Sequence, residues 1–296
     1  MTEINELRLK DYCAQIEQEL LKFTQEKPAL QGIVAEAMEY SLMAGGKRLR
    51  PVLMLEFCRM CGGDISNILD IACTIEMIHT FSLIHDDLPC MDNDDYRRGR
   101  PSCHKAFPEN IALLAGDALN TLPFEVISGA AMNGSITAET AVMLISVLSK
   151  SVGINGMIGG QVIDLQSEGK EISVETLNIL QEHKTGALIG AACVMGVVLA
   201  GKYDKIPAAA QYASALGRAF QIVDDILDVT GTFEEVGKPI GSDREQNKST
   251  YVSVLGLEKS HYEADRITGE ALSYLNEFND NGFLCELTES LLKRRS

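Results

Sequence analysis

The stretch Ile68-Leu69-Asp70-Ile71-Ala72-Cys73-Thr74-Ile75-Glu76-Met77-Ile78-His79-Thr80-Phe81-Ser82-Leu83-Ile84-His85-Asp86-Asp87-Leu88-Pro89 decides the fold. Its apolar residues at 68, 71, 72, 75 and 78 keep the three-and-four spacing of a helix, and strict alternation is rare anywhere in the chain. The run closes on two aspartates and on Pro89, which disfavours helical backbone at the Leu88 before it. Asp92 follows on a loop that returns toward Asp86. A second apolar run, Ala219-Phe220-Gln221-Ile222-Val223, leads into Asp224-Asp225-Ile226-Leu227-Asp228 in the same way. The chain reads as all-α, with two core helices that each carry carboxylates at one end.

Carboxylates grouped this densely repel one another and resist burial unless protonated, hydrogen-bonded or neutralised, so hard divalent cations are their natural partners. On a helix, Asp224 and Asp228 lie about 40° apart and Gln221 falls on the same side. A calcium loop is excluded. Asp92 and Asp94 start like an EF-hand, but Tyr96 takes the third ligand position and Arg97, Arg98 and Arg100 bring positive charge. A solvated acidic patch is the plain alternative, against which stands the apolar helix leading into each motif.

The 296 residues, 46% of them hydrophobic, suffice for a large core. A formal charge of -16 and a pI near 4.7 argue against a protein that coats nucleic acid or an anionic membrane. The polar, acidic start lacks the features of a secretory signal or presequence, which points to the cytoplasm. The longest apolar stretch, residues 186–201, is too short to span a bilayer and reads as a buried helix. The eight cysteines are scattered without a framework, as reduced core thiols would be, and Cys58-Arg-Met-Cys61 has no second half-motif.

Breaks fall at Pro28, Gly45-Gly46, Gly62-Gly63, Gly99-Arg100-Pro101, Asn133-Gly134, Pro207 and the Gly-rich stretch 231–248, which reads as a long loop. No repeat or linker divides the chain, so residues 1–296 are read as one domain. Two basic clusters oppose the global charge, Lys47-Arg48-Leu49-Arg50 after Gly45-Gly46 and Arg97-Arg98-Gly99-Arg100 after the first acidic motif. Such clusters suit phosphate, with Arg as a bidentate donor and Lys as a point charge. Together with Lys184 and Lys238 they imply two polyphosphates held differently, one through metal bridges and one by Lys and Arg directly.

At this point the chain resembles the trans-prenyl diphosphate synthases, most closely the bacterial type of farnesyl diphosphate synthase. The resemblance rests on the Gly45 to Pro51 motif, His79, the two aspartate motifs, Arg97-Arg98-Gly99, Gly116-Asp117-Ala118-Leu119, Gly159-Gly160-Gln161 with Asp164, Lys184-Thr185-Gly186 and Lys248-Ser249-Thr250-Tyr251. It implies a bundle of long helices around a deep cavity, a homodimer, no membrane insertion, and three Mg2+ ions. Asp86, Asp87 and Asp92 would bind two ions, and Asp224, supported by Asp225 and Asp228, the third. Arg97, Lys184, Lys238, Thr185 and Gln221 would meet the allylic diphosphate, while Lys47, Arg50, His79 and Arg98 would bind isopentenyl diphosphate.

The chemistry so implied is metal-assisted ionisation of dimethylallyl or geranyl diphosphate, attack by the isopentenyl double bond, and proton loss to the released pyrophosphate. Catalytic roles fall on Asp86, Asp224, Lys184, Thr185 and Gln221. Phe81, about 7.5 Å below Asp86 along the helix, and Ser82 match the pattern of a farnesyl product, with geranylgeranyl or geranyl diphosphate as the alternative. His79, about 20° from Asp86 around the helix, faces the same side; His85 is read as structural and His104 as ordering its loop. Two departures are Pro123, which interrupts the helix after Asn120 where the family has uninterrupted apolar residues, and Val252 after Thr250-Tyr251. A terpene cyclase is a poorer match because its second motif carries Asn, Ser or Thr, and Glu. A non-enzymatic acidic helical scaffold is the rival from another class.

Overall fold

A computed structural model describes residues 1–170, 172–231 and 249–292. The stretch 232–248, with Lys238, and the basic tail Lys293-Arg294-Arg295 lie outside the described residues. The chain is an all-α protein of long helices whose only strands, among the described residues, are two of two residues each. It divides into two compact units: Glu6–Leu55 with Asp64–Ile145, here the N-terminal unit, and Met1–Asn5, Glu56–Gly63 and Ser146–Ser296, the C-terminal unit.

The N-terminal unit holds most of α1 (Glu3–Lys22), α2 (Gly32–Leu42), the start of α3 (Leu49–Met60), α4 (Leu69–Asp86), β1 (Tyr96–Arg97), β2 (Arg100–Pro101), α5 (Cys103–Ala106), α6 (Glu109–Met132) and the start of α7 (Ala138–Val152). Helix α4 is buried nearly all round, as its lack of a polar face requires, and packs along α6. The facing residues of α6 are small, Ala112, Ala115 and Gly116, all buried. Pro123 does not end α6, which runs on to Met132.

The C-terminal unit continues with α8 (Met157–Ser167), α9 (Val174–Gln181), a π-helical turn (Glu182–Gly186), α10 (Ala187–Leu199) and α11 (Ile206–Thr230). Beyond the undescribed stretch come α12 (Tyr251–Leu255), α13 (Leu257–Leu275) and α14 (Gly282–Leu292). Pro207 sits at the start of α11, where its missing N–H costs nothing. Helix α10 is buried along its length, as read from the sequence, and α11 packs on α10 and α13. All eight cysteines are free thiols.

By length and composition, three helical stretches among the described residues, 109–132, 138–167 and 174–199, are long and apolar enough to cross a membrane. None of them shows in the sequence as one uninterrupted apolar run. The apolar residues here are spread over longer helices that also carry Asp117, Asp164 and Lys184.

Candidate active site

The N-terminal unit builds a cationic site from its glycine turn. Gly45, Gly46 and Arg48 all have left-handed backbone, φ +88°, +124° and +47°, which turns the chain sharply between α2 and α3. Lys47 stays exposed, whereas Arg48 is fully buried. Its guanidinium donates to Glu76 Oε1 at 2.9 Å, to the Leu42 carbonyl at 2.7 Å and to Glu17 Oε1 at 3.3 Å. Arg48 is therefore the internal strut of the turn. The signal for it in the sequence was Glu76, an acid inside an apolar helix that needs a buried counter-ion.

Arg50 has its Nε buried without a hydrogen-bond partner. Burial, with Arg98 adding to it and Glu76 opposing, lowers its guanidinium pKa from the ordinary value. His79 feels the field of both Arg50 and Arg98; burial first, then these cations, hold its pKa well below the usual imidazole range. A neutral imidazole thus stands close to two guanidinium groups.

The adjacent arginines 97 and 98 are sent to different places by the β1–β2 hairpin. Arg98 and Gly99 form its turn with φ +52° and +75°, the two positive values of a type I′ turn. Arg98 Nη1 donates to the Gly45 carbonyl, and its guanidinium lies so close over Gly46 that an added Cβ would sit 2.7 Å from Cζ. Arg97 turns to the first acidic motif, where it pairs with Asp87 and, at 3.2 Å, with Asp94.

Within that motif the chain does return to Asp86, through Asp92 N–H donating to the Asp86 carbonyl at 2.9 Å. The three expected ligands differ in access. Asp86 and Asp92 are half-buried, while Asp87 is 2% exposed and engaged by Arg97. Burial pushes its carboxyl pKa up, and Arg97 opposes that shift. Phe81 is buried one turn below, edge-on to the His85 ring, and Ser82 Oγ donates to the His79 carbonyl at 2.9 Å.

In the C-terminal unit the π turn carries Lys184 and Thr185. Such turns insert one residue into a helix and are common at functional sites. Small residues make room for it: a Cβ on Gly160 of α8 would lie 2.6 Å from Lys184 Cα, and one on Gly217 of α11 would lie 3.2 Å from Gly186 Cα. Lys184 Nζ donates to Asp164 Oδ2 at 2.6 Å. These contacts join Gly160, Asp164, Lys184 and Gly186, from separate motifs, in one construction.

On α11, Asp224 is exposed, whereas Asp225 and Asp228 are buried. Asp225 is committed on both oxygens, Oδ1 accepting from Gln221 Nε2 at 3.0 Å and Oδ2 from the Tyr251 N–H at 2.7 Å. Tyr251 is itself anchored by its hydroxyl, which donates to Asn178 Oδ1 at 2.6 Å, and by the Thr250–Ser253 capping box. Gln221, Asp224 and Asp228 lie on one continuous helix as expected, and the Gln221 amide is engaged by Asp225, one turn on. The expected three-carboxylate metal sites are also not preformed, since no group of three His, Cys, Asp or Glu able to hold a metal converges among the described residues. Asp87 is held by Arg97, and Asp225 by Gln221 and the Tyr251 N–H. The more accessible carboxylates, Asp86, Asp92 and Asp224, supply hard oxygens that fit Mg2+.

The polyprenyl synthetase family model matches residues 31–286. This chain belongs to that family. It is 45% identical over 252 residues, 84% of this chain and 68% of the other, to the large subunit 1 of heterodimeric geranylgeranyl pyrophosphate synthase of Arabidopsis thaliana. It is 44% identical over 292 residues, 97% and 84%, to a dimethylallyltranstransferase of Fischerella ambigua (strain UTEX 1903). Among solved structures, a geranyltransferase of Helicobacter pylori complexed with magnesium and isoprenyl diphosphate superposes with a TM-score of 0.83 at 34% identity, covering 99% of this chain and 98% of that one. Family and fold together make the chain a prenyltransferase. The bacterial farnesyl synthases singled out from the sequence are not set apart by these comparisons from the geranylgeranyl synthases and geranyltransferases.

Proposed function

We propose that this polyprenyl synthetase condenses isopentenyl diphosphate head-to-tail with dimethylallyl diphosphate and its longer homologues, by metal-assisted ionisation, condensation and proton loss. The observation that carries the proposal is the unpaired, buried Arg50 Nε beside neutral His79 and Arg98, a set of donors suited to the diphosphate of isopentenyl diphosphate. Lys47 joins that set. Arg97, Lys184, Thr185, Gln221 and Lys238 serve the allylic diphosphate, with Asp86, Asp87 and Asp92 as ligands to two Mg2+ ions and Asp224 to a third. Asp225 and Asp228 back Asp224, and the magnesium in the Helicobacter pylori complex supports the choice of ion.

Geranylgeranyl diphosphate is the product favoured by relatives at 44–45% identity that carry that name. A second reading, (E,E)-farnesyl diphosphate, is favoured by one side chain, the buried aromatic ring of Phe81 below the first motif. Residues 1–296 act as one catalytic domain, a reading supported by α1, α3 and α7, each of which runs from one unit into the other. Homodimer formation without membrane insertion accounts for the exposed apolar residues Leu113, Leu114, Val142, Ile154, Ile158 and Val162. The free thiols suit a cytoplasmic location.

Incubation with isopentenyl and dimethylallyl diphosphates plus Mg2+, followed by chromatographic sizing, is the test. A C20 product supports the first reading, C15 the second, and no prenyl product overturns both. Thermal stabilisation by Mg2+ with pyrophosphate is expected as well, and its absence would favour the non-enzymatic scaffold.

A further inference from the structure

His85 and the Gly116-Asp117 pair are left without a role by the reaction described above. They meet in the N-terminal unit. A Cβ on Gly116 would fall on the imidazole, its three nearest atoms being Nε2, Cδ2 and Cε1 of His85, so this glycine is a notch that the ring fills. The imidazole Nε2 lies 3.1 Å from the Leu113 carbonyl of α6, and since a carbonyl only accepts, that nitrogen carries the proton. Asp117 Oδ1 stands 3.7 Å from the same nitrogen. On its other side the ring meets Phe81, one turn back on α4, with centroids 4.9 Å apart and planes at 81°.

We propose that His85 is a positioning residue for product length: seated in the Gly116 notch and tied to Leu113, it fixes the Phe81 ring edge-on. A phenylalanine ring has two rotatable bonds, and burial alone leaves a choice of rotamers. An edge-to-face neighbour that is itself hydrogen-bonded to a second helix removes that choice. The inference rests on the reading that Phe81 meets the growing prenyl chain, and adds that the stop is a two-ring unit braced against α6.

The test measures the ratio of products one isoprene unit longer than those of the unsubstituted chain, a ratio indifferent to the fraction of active protein. His85→Leu removes both ring and hydrogen bond and is expected to raise this ratio about two- to tenfold, the scale of one edge-to-face contact. His85→Phe keeps a ring in the notch but loses the tie to Leu113, and is expected to raise the ratio less than His85→Leu does. In a Phe81→Ala background, His85→Leu is expected to add nothing. An unchanged ratio in His85→Leu, or a shift that persists undiminished without Phe81, would overturn the inference while Phe81→Ala alone still lengthens the product. An unchanged product length in Phe81→Ala overturns instead the reading of Phe81 as the stop. Should His85→Leu not fold, His85→Phe decides: a ratio shifted as far as that of Phe81→Ala refutes ring positioning.

Discussion

Replacing Arg48 with Met should unfold the protein at a markedly lower temperature although no proposed ligand is touched. The substitution deletes three hydrogen bonds, to Glu76, Leu42 and Glu17, and leaves the Glu76 carboxylate 2% exposed without its buried cation. Breaking a buried pair from one side costs about 3–5 kcal/mol. With an unfolding entropy of about 2.1 cal/mol/K per residue, 296 residues give about 0.6 kcal/mol/K, so the midpoint should fall by about 5–8 °C. The companion variant, Arg48→Met with Glu76→Leu, removes the stranded charge as well and should recover most of that loss. Circular-dichroism melts of the three proteins check this. A single variant within about 2 °C of the parent, or a double variant no better than the single, would refute the strut. The same single variant should raise KM for isopentenyl diphosphate, because Arg48 holds the turn that presents Lys47 and Arg50.

Asp224→Ala should depress turnover by orders of magnitude through loss of a metal ligand, whereas Asp225→Asn should stay within about tenfold, since an amide oxygen still accepts from the Tyr251 N–H and Gln221 turns its own amide to match. Equal loss in both, measured across a Mg2+ titration, would make Asp225 a direct ligand. Gly160→Ala drives a methyl into the Lys184 backbone and should cost about 1–3 kcal/mol in denaturant unfolding, together with a fall in kcat. His79 is held neutral by burial, so below about pH 6.5 the unfolded chain takes up a proton that the folded one does not. Stability should therefore drop as pH falls from 7 toward 5, by at most about 1.4 kcal/mol per unit from this group. His79→Gln should flatten that slope in denaturant midpoints, and an unaltered slope would remove His79 as its source.

The helices were legible because their apolar spacing is local information, and α4 and α11 follow their patterns to the end. The acidic and basic motifs were legible as chemistry for the same reason. What stayed hidden depends on partners distant in sequence. Nothing around Asp225 reveals that the N–H of Tyr251, 26 positions on, occupies it. Nothing near Arg48 distinguishes it from Lys47 until Glu76, 28 positions away, is placed beside it. Arg97 and Arg98 look equivalent in a cluster, and only the left-handed backbone of a two-residue turn separates them. The π turn leaves no periodic trace at all, because it interrupts a pattern by one residue and then resumes it.

That single inserted residue gives the helix one more position than its flanking turns require. An α-helix advances about 100° per residue, so a deletion inside an ordinary helix swings everything beyond it by that angle, whereas excising one position from Glu182–Gly186 would let α9 and α10 join as an unbroken helix with their faces in the phase they already have. The segment should therefore accept a one-residue deletion that the interior of α4 or α11 would not. The loss would be local, falling on the placement of Lys184 and Thr185 and so on turnover, while the helices around them keep their packing.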